Sequence, residues 1–139
     1  MDLVRHIVVG TDFTTDSGKA VAYAGELAKA LGARLTVVHV DEAAAFVPGS
    51  DLAKAEGRAD RTHMDAVVRE LTDRAVRARG LVRPGLPAEG LCEFASEEHA
   101  DLVVVGGHGH DCFAGVTLSS VAERVLRDAP CPVLMVRKQ

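Results

Sequence analysis

The 139-residue chain is poor in aromatic residues, which make up 4% of it, and it has no tryptophan. Its formal net charge is −4, and its lysines and arginines form no patch interleaved with aromatic side chains. Patches of that kind bind the phosphates and bases of nucleic acids. We therefore expect no nucleic acid partner. A small anion held by backbone amides is still compatible with this composition, because such binding needs no positive side chain.

The three cysteines, Cys92, Cys112 and Cys131, are an odd number and have no C-x-x-C spacing. This pattern is typical of reduced thiols in a cytosolic protein and not of a disulfide framework. The first residues show no basic region followed by an apolar core, so we expect no signal peptide. No apolar run approaches membrane-spanning length. The sequence thus predicts a cytoplasmic protein without a membrane partner.

Apolar residues make up 47% of the chain and charged residues 26%, which is an ordinary globular balance. The length fits one domain and leaves little room for a second. We expect a single domain over residues 1–139.

Short segments rich in β-branched residues predict strands at 7–10, 35–40, 102–105 and 132–136. Residues 76–83 predict one more strand, with Gly80 at a bend, and a helix that continues to residue 79 is the alternative. The mixed segment 41–57 is predicted to be a variable excursion without regular structure.

Helical spacing of apolar residues predicts four helices, at 20–31, at about 59–74, from Pro87 onward and at 120–126. Gly32 closes the first of them. Ser120 and Glu123 have the spacing of a capping box that opens the last one. Because strands and helices alternate and the strands are almost continuously apolar, the pattern predicts an α/β fold with a parallel sheet covered on both faces.

Open parallel sheets bind ligands beyond the carboxyl ends of their strands, where the strand order reverses. The two short, wholly apolar strands before Gly10 and Gly106 are predicted to be central neighbours. Thr11 and Asp12 follow the first, and a glycine-rich loop follows the second. The helix that begins near Ser120 would present free amides and a partial positive charge to the same crevice.

Several of these motifs resemble the universal stress protein family, and the resemblance covers nearly the whole chain. They are the opening strand with its aspartate (8–13), the G-x-P turn (85–89), the fourth strand (100–106) and the ending (120–136). The resemblance implies a five-stranded sheet in the order 3-2-1-4-5, of the adenine nucleotide alpha hydrolase-like type. It also implies a homodimer formed through the last strand, and a stress-response regulator that binds ATP or a related adenine nucleotide, with Mg²⁺ accompanying ATP.

In nucleotide-binding members of this family, a G-x2-G-x9-G-[ST] motif holds the phosphates. Carried over to this chain, the resemblance implies a nucleotide site made of Gly10, Thr11, Asp12, Val40, Val105, Gly106, His108, Gly109, Ser119, Ser120 and Val121.

Ser119 departs from that motif, because it stands where the family has glycine. If the φ angle there is negative, serine fits and its hydroxyl adds a polar group. If φ is positive, serine is strained and the loop stays open. The second case favours the rival hypothesis, a dimerisation scaffold that binds no nucleotide and acts only through protein contacts.

Three further alternatives stay open for single residues. Asp12 could simply cap the turn that follows its strand. His108, His110 and Cys112, with Asp111 between them, carry metal-ligand and thiol chemistry and would suit a metal or redox sensor, although they lack structural-zinc spacing. His39 is expected to be a core or sheet-end histidine, and Cys92 and Cys131 are expected to pack as small apolar residues.

No residue is assigned a catalytic role. The sequence contains neither a Walker A lysine nor a G-x-S-x-G nucleophile motif. If ATP is hydrolysed at all, we expect the reaction to be slow and secondary.

Overall fold

The computed structural model describes residues 3–107 and 119–137. The described residues form five strands, β1 (His6–Gly10), β2 (Arg34–Asp41), β3 (Arg77–Pro84), β4 (Leu102–Gly106) and β5 (Val133–Val136). They also form five helices, α1 (Thr15–Leu31), α2 (Glu42–Phe46), α3 (Asp51–Asp73), α4 (Pro87–Glu97) and α5 (Ser120–Asp128).

All neighbouring strands are parallel, and their order is β3-β2-β1-β4-β5. This confirms the predicted fold. One hydrophobic cluster joins β1 and β2 to α1 and α3, and a second cluster joins the sheet to α4 and α5 on its other face. Because β1 leads to β2 on one side and pairs with β4 on the other, the strand order reverses at β1. Ligand sites of open α/β sheets lie at such a point.

The predicted third strand exists, and the helical alternative is wrong. β3 pairs with β2 in one uninterrupted register from Arg77 to Pro84. Gly80 pairs with Val37 within that register, so the strand pairing is not interrupted at the predicted bend. A Cβ atom at Gly80 would lie 2.4 Å from Cγ of Met64. The glycine is therefore needed because α3 lies so close to the sheet at this position.

The second predicted helix begins earlier than expected. α3 starts at Asp51, after an N-cap in which Ser50 Oγ accepts a hydrogen bond from the Ala53 amide (3.1 Å). The segment 41–57, predicted to be irregular, also contains α2. In the first part of α3 only Ala53 is buried, so no apolar repeat marked this turn of the helix. The later apolar positions, Met64 and Leu71, are buried as predicted.

The helix ends follow the local rules in most places. Gly32 ends α1 in the left-handed conformation (φ 66°), and Pro87 occupies the first turn of α4.

Within the described residues, none of the helices combines the length and the apolar character that crossing a membrane requires.

Candidate functional site

A cavity of about 720 Å³ lies at the carboxyl ends of the central strands. Its walls come from the loop after β1, the ends of β2 and β4, the beginning of α5, and α2 and α3. Pockets of this size accept ligands as large as a nucleotide. The cavity occupies the place where the strand order reverses.

Nine of the eleven site residues named from the sequence line this cavity. They are Gly10, Thr11, Asp12, Val40, Val105, Gly106, Ser119, Ser120 and Val121. His108 and Gly109 lie outside the described residues. The same holds for His110, Asp111 and Cys112 of the metal or redox hypothesis.

The loop after β1 is held together by the Asp12 side chain. Asp12 Oδ1 accepts hydrogen bonds from the Thr14 amide (3.0 Å), the Thr14 hydroxyl and the Ser17 hydroxyl (2.7 Å). The capping role considered for Asp12 is therefore real. Phe13, between these residues, has φ 63°, a left-handed conformation that is uncommon for a non-glycine residue. The hydrogen bonds around Asp12 hold the chain in this strained turn.

The same hydrogen bonds keep Asp12 ionised. Burial by itself would raise the pKa of the Asp12 carboxyl, but the hydrogen bonds from Thr14 and Ser17 outweigh it and lower the pKa below its ordinary value. The cavity therefore has a fixed negative charge next to the end of β1 at neutral pH.

Ser119 is unstrained in this structure. Its φ and ψ angles are −62° and 152°, and its hydroxyl accepts a hydrogen bond from the Ala122 amide (3.0 Å). The positive-φ alternative is thus wrong. The predicted capping box is wrong by one residue, because Ser119 and not Ser120 is the N-cap of α5. Glu123 consequently lies one position beyond the place where a capping box would need it.

Two backbone amides at the start of α5 have no acceptor within the described part of the chain. The Ala122 amide bonds to the Ser119 hydroxyl, and the Glu123 amide bonds to the Ser119 carbonyl (3.0 Å). Across residues 3–107 and 119–137 no acceptor is recorded for the amides of Ser120 and Val121. Both residues line the cavity. The first amides of a helix, together with its partial positive charge, form a site for an anion.

The two motif glycines differ in what they contribute. Neither Gly10 nor Gly106 has a positive φ. A Cβ atom at Gly10 would lie 2.9 Å from Cδ2 of Leu91, so this glycine allows α4 to approach the sheet. A Cβ atom at Gly106 would make only ordinary contacts, the nearest being 3.6 Å from the Asp16 carbonyl oxygen. The first turn of α1 therefore lies beside the end of β4.

Val40 and Val105 give the cavity apolar walls. Both side chains are buried and belong to the cluster that contacts α4 and α5. Val40 also fills the space above Gly90, where a Cβ atom would lie 2.9 Å from Cγ1 of Val40. Leu91 lines the cavity next to them. This part of the site suits a flat apolar group.

His39 connects three elements at the edge of the cavity. Its Nδ1 lies 2.8 Å from the Thr11 carbonyl oxygen, and because that oxygen can only accept, Nδ1 donates. Its Nε2 lies 3.2 Å from Oδ2 of Asp60 on α3. The Phe13 ring packs on the imidazole with 4.7 Å between ring centroids. His39 is therefore a sheet-end histidine, as expected, but its link to α3 was not predicted.

Sequence reasoning also missed most of the acidic residues of the cavity. Six carboxylates line it, from Asp12, Asp16, Asp41, Glu42, Glu56 and Asp60. Of the described lining residues none is a lysine or an arginine. The α3 carboxylates could not be placed before the helix was known to begin at Asp51.

A smaller cavity of about 310 Å³ lies between α1 and α3. It shares only Thr11 and Thr14 with the larger one. Its other walls come mainly from the two helices, with Phe13, Arg74 and Val76 from the adjoining segments, and no residue of β2 or β4 lines it. We place the candidate site in the larger cavity, because it is lined by the first residues of α5.

The described residues offer no group of three or more His, Cys, Asp or Glu side chains arranged to hold a metal ion. Cys92 and Cys131 are partly buried and pack against the cluster near α4 and α5, as expected. Burial raises the pKa of both thiols. Both thiols therefore stay protonated at neutral pH.

Comparison with known proteins agrees with this architecture. The model of the universal stress protein family matches residues 4–137. The chain belongs to the universal stress protein family. A relative from Thermus aquaticus is 34% identical over 97% of this chain and all of its own length. Family members from Methanocaldococcus jannaschii (33% identity, 99% of this chain and 84% of the relative) and Mycobacterium tuberculosis (34% identity, 98% of each) are similar over comparable lengths.

Solved structures of this family have the same fold. The structure of a universal stress protein from Lactobacillus plantarum superposes with a TM-score of 0.85 at 22% identity, covering 96% of this chain and 98% of its own. A universal stress protein in complex with cAMP is 34% identical, with a TM-score of 0.69 and coverage of 96% and 97%. An Archaeoglobus fulgidus member in complex with dAMP has a TM-score of 0.72 at 21% identity, covering 96% and 98%.

Proposed function

We propose that this universal stress protein is a stress-response regulator that binds ATP or a related adenine nucleotide in the larger cavity. One observation carries the proposal. The nine described residues that the family resemblance assigns to the nucleotide site line a single cavity of about 720 Å³. Two of them, Ser120 and Val121, have amides without an acceptor in the described part of the chain. The relatives crystallised with cAMP and dAMP support an adenine nucleotide as the ligand.

In this proposal the two ends of the cavity have different tasks. Val40, Val105 and Leu91 offer the apolar surface against which a base packs. The amides of Ser120 and Val121 and the N-terminus of α5 receive phosphate. Asp12 shapes the loop that closes the site, since its Oδ1 already holds Thr14 and Ser17.

A magnesium ion, if one enters with ATP, would be held mainly by the phosphates. The described residues contain no preformed group of three ligands, and Mg²⁺ commonly uses one or two carboxylates together with substrate phosphates. Asp12 and Asp16 line the cavity from the segment after β1, and they are the residues that would approach such an ion.

Thermal unfolding in the presence of nucleotide tests the proposal. At a ligand concentration a hundredfold above the dissociation constant, binding stabilises the folded state by about 2.7 kcal/mol, which raises the melting temperature by several degrees. We expect this shift with cAMP or with Mg-ATP and no shift with equal concentrations of inorganic phosphate. A melting temperature that is unchanged by adenine nucleotides at millimolar concentrations would contradict the proposal.

A dimer formed through β5 is the second proposal. β5 is an edge strand, and its four residues, Val133 to Val136, are apolar and only partly buried. An exposed apolar edge readily pairs with another strand. Light scattering should give the mass of a dimer, and Val136→Lys should shift the mass toward the monomer while circular dichroism stays unchanged. A monomeric native chain at micromolar concentration would refute this proposal.

The scaffold hypothesis loses its main support. It depended on strain at Ser119, and the φ angle of −62° at this residue removes that objection to nucleotide binding.

A further inference from the structure

The proposed nucleotide cavity has an unusual charge for a site that receives phosphate. Six carboxylates line it, and the lining has no lysine or arginine among the described residues. Residues 108–118 lie outside the described part of the chain, and their sequence contains no lysine or arginine. His39 Nε2 lies 3.2 Å from Oδ2 of Asp60. The other five acidic residues form no ion pair with a described lysine, arginine or histidine.

Two of these acidic residues, Asp12 and Asp16, line the cavity from the segment that follows β1. Asp16 is in the first turn of α1, and its carbonyl oxygen would be 3.6 Å from a Cβ atom at Gly106, the last residue of β4. Asp12 lies in the same loop, and its hydrogen bonds keep it ionised. Among the described lining residues, the N-terminus of α5 supplies about half a positive charge and two amides without an acceptor in that part of the chain. The attraction in the site is therefore limited, while each additional phosphate meets further repulsion.

On this ground, and resting on the proposed function, we propose that the cavity selects adenine nucleotides with a single phosphate charge, such as a cyclic monophosphate, over ATP. The α5 amides suffice to hold one phosphate. A triphosphate extends its remaining charges toward Asp12 and Asp16 and needs a divalent cation to offset them. The selection comes from repulsion of the wrong ligand and not from added contacts to the right one.

Calorimetric titration of the full chain with cAMP, AMP and ATP in low-salt buffer with EDTA tests this order. Affinity should fall as phosphate charge rises, with cAMP binding at least about tenfold more tightly than ATP. Added salt should reduce the difference in affinity between cAMP and ATP, because it screens the repulsion between the phosphates and the carboxylates. Excess Mg²⁺ should narrow it as well, by offsetting the charge of ATP.

Two variants test whether carboxylates of the cavity lining cause the repulsion of ATP. Asp16→Asn and Glu56→Gln remove a charge from the cavity lining without changing the shape of the side chain. Each should raise the affinity for ATP about threefold and leave that for cAMP nearly unchanged. Asp65→Asn is the matched control, because Asp65 is exposed on α3 and does not line the cavity. This control removes the same charge from the whole protein and should not alter the ratio of the cAMP and ATP affinities.

The outcomes separate this inference from the function on which it rests. The charge selection is wrong if ATP in EDTA binds as tightly as cAMP. It is also wrong if Asp16→Asn and Asp65→Asn change the ratio of the cAMP and ATP affinities equally. In both cases nucleotide binding itself is retained. If no adenine nucleotide binds in any buffer, the proposed function itself fails, and the selection fails with it.

Discussion

Replacing Ser120 with proline removes one proposed phosphate donor without disturbing α5. Ser120 is the first residue of the helix, and its amide has no recorded acceptor in the described part of the chain. Proline is well tolerated at this position, because its missing N–H has no helical partner. The preceding residue must be extended, and Ser119 already has ψ 152°. The N-cap bond from the Ala122 amide to the Ser119 hydroxyl is left in place.

The expected loss follows from the donor that is removed. A hydrogen bond to a charged group is worth about 1.5–3 kcal/mol, so Ser120→Pro should weaken nucleotide binding by roughly tenfold to a hundredfold. The free energy of unfolding without ligand should change by less than about 1 kcal/mol. Calorimetric titration measures the first quantity and denaturant unfolding the second.

Ser120→Ala is the matched control, because it keeps the amide and removes only the hydroxyl. It should bind nucleotide within a few-fold of the native chain. If Ser120→Pro binds as well as Ser120→Ala, the amides of α5 do not hold the phosphate and the proposed geometry is refuted.

Three further predictions concern single residues. Ser119→Gly should leave nucleotide affinity nearly unchanged and destabilise the fold by only a few tenths of a kcal/mol, because Ser119 is unstrained; a tenfold gain in a binding titration would contradict this. Gly80→Ala should destabilise by about 1–3 kcal/mol in urea unfolding, because its Cβ atom would lie 2.4 Å from Met64 Cγ. Lowering the pH below 6.5 should destabilise the native chain through His6, and His6→Gln should lose this part of the pH dependence.

The sign of the His6 effect follows from its surroundings. Burial, assisted by the positive charge of Arg34, lowers the pKa of His6 in the folded state below its ordinary value of 6.5. Unfolding therefore takes up a proton at mildly acidic pH, and stability is lost as the pH falls from 6.5 through the lower folded pKa. Equal slopes of stability against pH in the native chain and His6→Gln would refute this reasoning.

A double-mutant cycle separates the Gly80 contact from general damage. Met64→Ala removes the nearer of the two side chains that a Cβ at position 80 would meet, the other being Val68 at 2.8 Å. The two substitutions together should destabilise by less than the sum of each alone, because they share one contact. Additive effects would show that the space between α3 and β3 is not what requires glycine.

The central strands could be predicted because their apolar pattern is local, whereas the order of all five strands was implied by the family resemblance. Apolar runs such as those ending at Gly10 and Gly106 identify central strands of a parallel sheet, and the family resemblance supplied their order. The start of α3 could not be predicted, since from Asp51 to Glu56 only Ala53 is buried and no apolar repeat appears there. Its N-cap, Ser50, was the one available signal.

The candidate site was predictable where it follows the family motif and not where it depends on packing. Ser119 could be named from the motif, but its φ angle depends on where α5 begins, and the competing Ser120–Glu123 spacing misplaced that point by one residue. The contact between His39 and Asp60 joins residues that are 21 positions apart, and no local sequence pattern indicates it. Three of the six acidic residues of the cavity, Glu42, Glu56 and Asp60, likewise lie on α2 and α3, which approach the sheet only in the folded chain.

Equilibrium titration of nucleotide-free protein with cAMP, at concentrations up to the millimolar range, tests the central claim most directly. Saturable binding of one nucleotide per chain, weakened in Ser120→Pro and retained in Ser120→Ala, is the result that we predict. Heats no different from dilution for cAMP and for Mg-ATP alike would contradict the claim that this cavity is a nucleotide site.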